Sequence, residues 1–216
     1  MRVTEHKTDR RPTGEKTNHS TDDLSPILWA DIEARPAAEI AANSGASLVP
    51  PDIFILHFMG SDYRINLPAR SFSSPPDRLP PNFQTGLVLL TYLIHAQSNL
   101  GLAGHMVTSR ELKGGEMFFK GPHALTTDPV TKRFGSNPTG FTTRAGTMGL
   151  APEVLGSGTA VRGLILPKIA IGLILHQADE EFPAELTYTF DAYTHYHLPL
   201  DGLWAMINVL AAELAA

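Results

Sequence analysis

The chain has 216 residues, 43% of them hydrophobic and 18% charged, with a formal net charge of −5; that is enough apolar material for one domain with a core of its own. An acidic balance without a basic stripe argues against nucleic-acid binding, which draws its affinity from clustered Lys and Arg. The absence of cysteine excludes disulfides, thiolate zinc sites and an iron–sulfur cluster held by this chain.

Residues 1–24 are polar, charged and free of aromatics. They cannot bury enough surface to offset their ordering entropy and are predicted to be a disordered tail. A single domain is expected over 25–216. Ser25 is a candidate N-cap with Pro26 at the first helical position; Pro36 interrupts that helix and Gly45 ends it. Asp52–Phe58 alternates in apolar residues and reads as a strand buried on both faces. Gly60-Ser61-Asp62 supplies a turn and Tyr63–Leu67 a second strand, together a hairpin. Five prolines between Pro68 and Pro81 mark a surface loop. Gln84–Gln97 is a strongly apolar helix.

Further along, His105–Ser109 reads as a short extended piece, followed by a turn at Gly114-Gly115 and a helix start. Gly- and Thr-rich residues 122–149 predict short, broken helices. Gly156–Gly158 is a turn. Thr159–Leu166 and Lys168–Gln177 are strands joined near Pro167, Asp179–Pro183 is a polar turn, and Leu186–Phe190 is another strand. Pro199 starts a last helix over Leu200–Leu214, with an apolar stripe at Leu203, Ile207, Leu210 and Leu214. The fold class is α+β: one domain with an antiparallel or mixed sheet of about five strands flanked by helices. The apolar runs are too short to span a bilayer, and no N-terminal apolar segment marks export. A cytoplasmic protein that binds neither membrane nor nucleic acid is expected.

Three stretches carry a family resemblance. The first runs from Gly104 to Gly115 (GHMVTSRELKGG). The second combines Asp179-Glu180-Glu181-Phe182-Pro183, Phe190-Asp191 and Leu198-Pro199-Leu200-Asp201. The third is Phe58-Met59-Gly60-x-x-Tyr63. In this order and spacing the chain resembles the bacterial and archaeal family catalogued as domain of unknown function 3786, over residues 25–214. The resemblance implies a prokaryotic source, with members in anaerobes and some fused to a cysteine-rich iron–sulfur module of the kind found in corrinoid proteins. It thereby suggests a link to redox or one-carbon cofactor metabolism. A chain without cysteine departs from that context.

Charge is distributed unevenly. Residues 26–168 hold twelve Lys/Arg against ten acids, whereas 169–216 hold seven acids and no Lys or Arg. Arg110 offers a fork of donors suited to an anionic ligand. The simpler reading pairs it with an acid of the cation-free end, Asp179 or Glu181. Adjacent carboxylates at 179–181 suit acid–base work or a hard cation, but in a turn they are more simply solvated. Asp191, His195 and His197 are the sharpest metal candidates, because in extended backbone His at i and i+2 share a face. His105 is a candidate proton donor. No nucleophile elbow, dinucleotide fingerprint, Walker lysine or His-Glu-x-x-His is present.

The leading expectation is a non-catalytic ligand-binding or accessory domain for a small molecule or a protein partner. Its pocket is placed where Ser109–Gly115 meets Asp179–Asp191, with His105, Arg110, Glu111, Asp179, Glu181 and Asp191 as ligand-binding residues. The alternatives are a metal-dependent hydrolase or lyase using Asp191, His195 and His197 with Glu181 as base, and a structural subunit exposing an apolar patch on Gln84–Gln97 or Leu200–Leu214. The sequence leaves open whether the chain is an enzyme and which cofactor it takes.

Overall fold

A computed structural model describes residues 20–154 and 158–216. The expected tail up to residue 19, and most of the expected Gly156–Gly158 turn, lie outside the described residues. Ser20 caps a 3₁₀ turn at Thr21–Asp23, and Leu24 already belongs to the core.

Helix α1 (Pro26–Glu33) begins as its residues dictate. Ser25 Oγ accepts the Ile27 N–H, and Pro26 occupies a position whose N–H would be orphaned in any helix. Pro36 separates it from α2 (Ala37–Ser44), which Gly45 terminates in the left-handed region at φ 76°. Four antiparallel strands follow in sequence order: β1 (Ser47–Val49), β2 (Ile53–Phe58), β3 (Ser61–Asn66) and β4 (Ser71–Ser73). Phe58 pairs with Ser61, so the β2–β3 turn is the two residues Met59 and Gly60, with φ 52° and 75°. It lies one residue upstream of the expected turn, because Asp62 is already in the ladder opposite His57. β2 also departs from the expected double burial. Phe54, Leu56 and Phe58 are buried, while Ile53 and Ile55 are half-buried and His57 is exposed.

After the proline loop, Asn82 caps α3 (Phe83–His95) by accepting the Thr85 N–H. Next come β5 (Met106–Thr108), α4 (Gly115–Phe118), α5 (Asp128–Phe134) and α6 (Pro138–Gly146). They are followed by β6 (Ala151–Glu153), β7 (Thr159–Leu166), β8 (Ile169–His176), β9 (Glu185–Asp191), α7 (Thr194–His197) and α8 (Leu200–Ala215). The later strands form a second antiparallel sheet in the order β5-β9-β8-β7-β6. The α+β class and antiparallel pairing are as the sequence suggests, with the strands divided between two sheets.

Helices α3 and α8 pack against each other; α1 and α2 flank α3, and α5 and α6 flank α8. Both central helices are buried over most of their length. They are core elements, and the exposed apolar patch expected on one of them is absent. Among the described residues, no helix is long and apolar enough to cross a membrane.

The two sheets are joined at the β2–β3 turn. The Met59 N–H donates to Ile165 O at 2.9 Å. A Cβ on Gly60 would sit 2.8 Å from both Thr147 O and the Met148 carbonyl carbon, so only glycine permits this approach. Arg78, from the proline loop, is only 8% exposed. Its Nε donates to Ser61 Oγ (2.9 Å) and its Nη2 to Met59 O (2.9 Å) and Thr147 O (2.5 Å). Beside it Glu213, 2% exposed, accepts the Leu79 N–H at 3.0 Å and lies 3.8 Å from Arg144 Nη2. An acid of the cation-free end thus does meet an upstream arginine, but the pair is Arg144 with Glu213.

Candidate functional site

The β5–β9 ladder sets Met106 opposite Asp191 and Thr108 opposite Thr189, so two of the family-like stretches do meet. Their polar residues, however, serve the backbone. Glu111 Oε2 accepts the Thr108 N–H (2.8 Å) and the Thr108 hydroxyl (2.7 Å), which holds its carboxyl below the usual range. A Cβ on Gly115 would fall 1.9 Å from Ser109 O, and Gly114 lies at φ 82°. The double glycine therefore closes a tight turn anchored by buried Leu112. His105 is exposed and takes part through its carbonyl, which accepts the Ala192 N–H.

Arg110 is exposed, and no ion pair to it is formed among the described residues. The expected clamp with Asp179 or Glu181 is not made, and strand geometry explains why. The Arg110 turn leaves β5 opposite Thr189, whereas the acidic turn enters β9 before Glu185. Four strand steps, about 13 Å, separate those positions.

Asp191 is 1% exposed at the end of β9. Its Oδ1 accepts the N–H groups of Ala103 (2.9 Å) and Tyr193 (3.0 Å), and its Oδ2 that of Gly104 (3.0 Å). The Tyr193 bond closes the turn that leads into α7, and the other two tie residues 103 and 104 to the end of β9. The extended backbone on which the metal expectation rested is therefore helical. Residues two apart on a helix point about 200° away from each other, so His195 and His197 do not share a face. Among the described residues no group of three or more His, Asp or Glu is arranged to hold a metal ion. Both ring nitrogens of His195 and Nε2 of His197 are buried without hydrogen-bond partners. Burial holds both imidazoles below their ordinary pKa.

The acidic turn lies at the opposite end of β9. Asp179 Oδ1 accepts the N–H groups of Glu181 (2.9 Å) and Phe182 (2.7 Å), and these bonds hold its carboxyl low. Glu181 is exposed on the same turn. Here the chain borders an open cleft of about 410 Å³ lined by His176, Gln177, Asp179, Phe182, Pro183 and Glu185, with Thr159 and Leu175 at its back. Glu185 faces His176 across the ladder, and the Phe182 ring is 66% exposed. Among the described residues no lysine or arginine lines the cleft. Of the expected ligand-binding residues, Asp179 borders this cleft; His105, Arg110, Glu111 and Asp191 lie toward the other end of the ladder.

Sequence reasoning overlooked Arg78, Glu213, Lys168 and the cleft residues Phe182 and Glu185 as parts of any polar site. Glu213 had a signal, an acid within the apolar run Leu210-Ala211-Ala212-Glu213-Leu214. Arg78 had none, because its partners are carbonyls distant in sequence. The family described as "Domain of unknown function (DUF3786)" matches residues 37–213, from α2 through nearly all of α8 and including the cleft. None of the curated proteins and none of the solved structures matches the chain.

Proposed function

The chain belongs to the DUF3786 family, and from that premise we propose that it is a ligand-binding domain without catalytic machinery, whose ligand is a small organic cation held in the cleft at the acidic turn. One observation carries the reading: a recess of about 410 Å³ presents two carboxylates and an exposed aromatic residue with, among the described residues, no lysine or arginine on its walls. That volume falls within the range of small-molecule sites. Asp179 is kept anionic by its own turn, and the same turn fixes Phe182 beside it. A cation near Asp179 and Glu185 gains about 1 kcal/mol from each solvated carboxylate. Contact with the Phe182 ring adds roughly 0.5–1 kcal/mol. The sum, about 2.5–3 kcal/mol, corresponds to a Kd of roughly 6–15 mM.

The non-catalytic part of the reading rests on the carboxylates of Glu111, Asp179 and Asp191. Each accepts two or three hydrogen bonds from its surrounding turn and is thereby committed to architecture.

The test is an amide chemical-shift titration with tetramethylammonium and with arginine methyl ester, using acetate as the anionic control. Both cations are expected to shift Gln177, Phe182 and Glu185, and Glu185→Gln or Phe182→Ala should weaken binding several-fold. Absence of these shifts with both cations, or unchanged binding in the two variants, overturns the reading.

A further inference from the structure

We propose that residues 97–104, which link α3 to β5, form a strap latched by His197, Lys168 and Asp191, and that acidification unlatches its first half through His197 while Asp191 retains the second.

The strap has no apolar anchor of its own. No residue from Gln97 to Gly104 is buried; Leu100 and Ala103 are half-buried and the others exposed. What holds it is a set of bonds from side chains to its backbone. The Gln97 N–H donates to His197 Nδ1 at 3.3 Å. Lys168 Nζ donates to Gln97 O, and to Leu100 O at 3.5 Å. The Ala103 and Gly104 N–H groups donate to Asp191 at 2.9 and 3.0 Å. The Gln97 side chain donates to Tyr196 O at 3.2 Å. Gly101 and Gly104, the latter at φ 82°, leave the backbone free to pivot, and a Cβ at either would meet nothing within 4 Å.

His197 is the weak latch. Its side chain is 0% exposed, and it accepts the Gln97 N–H only while neutral. The charged groups facing it are Lys168 from the β7–β8 turn and Asp191 from the end of β9. Asp191 already spends both oxygens on backbone N–H groups. Nε2 is buried without a hydrogen-bond partner, and the Gly101 backbone beside the ring favours its charged form, an effect smaller than that of burial. Protonation would therefore remove the acceptor for Gln97 and place a buried cation beside the half-buried Lys168. Both effects favour release of the chain from Gln97. Asp191 holds the second half directly, through the Ala103 and Gly104 N–H groups, and the His197 ring takes no part in those bonds. Ala103 and Gly104 accordingly stay in place. The device lies at the far end of β9 from the proposed cleft and does not depend on it.

The experiment is amide hydrogen exchange on the whole chain, read as protection factors between pH 7.5 and 5. Linked to one proton, the protection of Gln97 should fall about tenfold per pH unit once His197 titrates, with Ala103 and Gly104 unchanged. His197→Asn keeps an acceptor near Nδ1 but cannot titrate, so its Gln97 protection should be flat across this range. Protection of Gln97 that is independent of pH in the wild type, an unchanged dependence in His197→Asn, or parallel loss at Ala103 and Gly104 overturns the proposal. A wild-type measurement stands even if the variant does not fold: the His197 ring proton and the Gln97 amide should titrate with one midpoint, and separate midpoints overturn it equally.

Discussion

Replacing Arg78 with Met tests the junction on which the two-sheet fold turns. The Arg78 guanidinium is 8% exposed and donates to Ser61 Oγ, Met59 O and Thr147 O, tying the proline loop to the β2–β3 turn and to the end of α6. A hydrogen bond from a charged donor is worth roughly 1.5–3 kcal/mol, and a buried carbonyl left without its partner costs about 1–3 kcal/mol. Three such bonds would suggest a larger loss. Two terms oppose it. Arg78 makes no ion pair among the described residues, and its Nη1 is buried without a partner, so removing the cation recovers desolvation energy. Met also retains most of the packed volume of the stem. The balance is a net destabilisation of about 3–4 kcal/mol. For a domain of this size that lowers Tm by roughly 6–15 °C. Urea unfolding followed by circular dichroism measures it directly. Arg78→Lys should recover less than half of the loss, since an ammonium cannot reach three acceptors as the planar fork does. A Met variant within about 1 kcal/mol of the wild type would refute the claim that this arginine rivets the β2–β3 turn to the end of α6.

Gly60→Ala should be costlier than an ordinary turn substitution. It combines a left-handed φ of 75° with a Cβ 2.8 Å from two backbone atoms of Thr147 and Met148, and a loss of about 3 kcal/mol or more in chemical denaturation is expected; a loss below about 1 kcal/mol would mean the sheets slide apart freely. Mild acid should destabilise the fold through its buried histidines. His195 and His197 are held below their ordinary pKa by burial, so the unfolded chain binds protons first. Stability is fully present above the unfolded value of about 6.5 and declines as pH falls from there through the folded pKa. Urea midpoints at pH 7.5, 6.5 and 5.5 should fall in that order, and an unchanged midpoint at pH 5.5 would contradict it.

Much of the fold was legible because its signals are local. Ser25-Pro26, Pro36 and Gly45 bound α1 and α2 through caps and missing N–H groups. Alternation marked β2 and β3, richness in Ile, Leu and Val marked β7 and β8, and a 3.6-residue stripe marked α8. Three-residue strands such as β1, β4 and β6 are too short to show any period. Their place depends on what lies beside them.

The candidate site was less legible. Charge segregation along the chain implied that acids after residue 168 meet upstream cations or water, and it did not say which acid meets which cation. The fold joined Glu213 to Arg144 and left Arg110 in solvent, because register along β9 sets the two turns four strand steps apart. The histidines at 195 and 197 looked collinear in an extended segment. The fold instead closes a turn through the Tyr193 N–H on Asp191 and continues as a short helix, which points the rings apart. Sequence by itself determined where elements start and stop, since caps, prolines, glycines and periodicity act within a few residues. Only the tertiary structure decided which polar groups became scaffolding and which border the open cleft, since hydrogen-bond partners and burial are set by residues up to 134 positions apart.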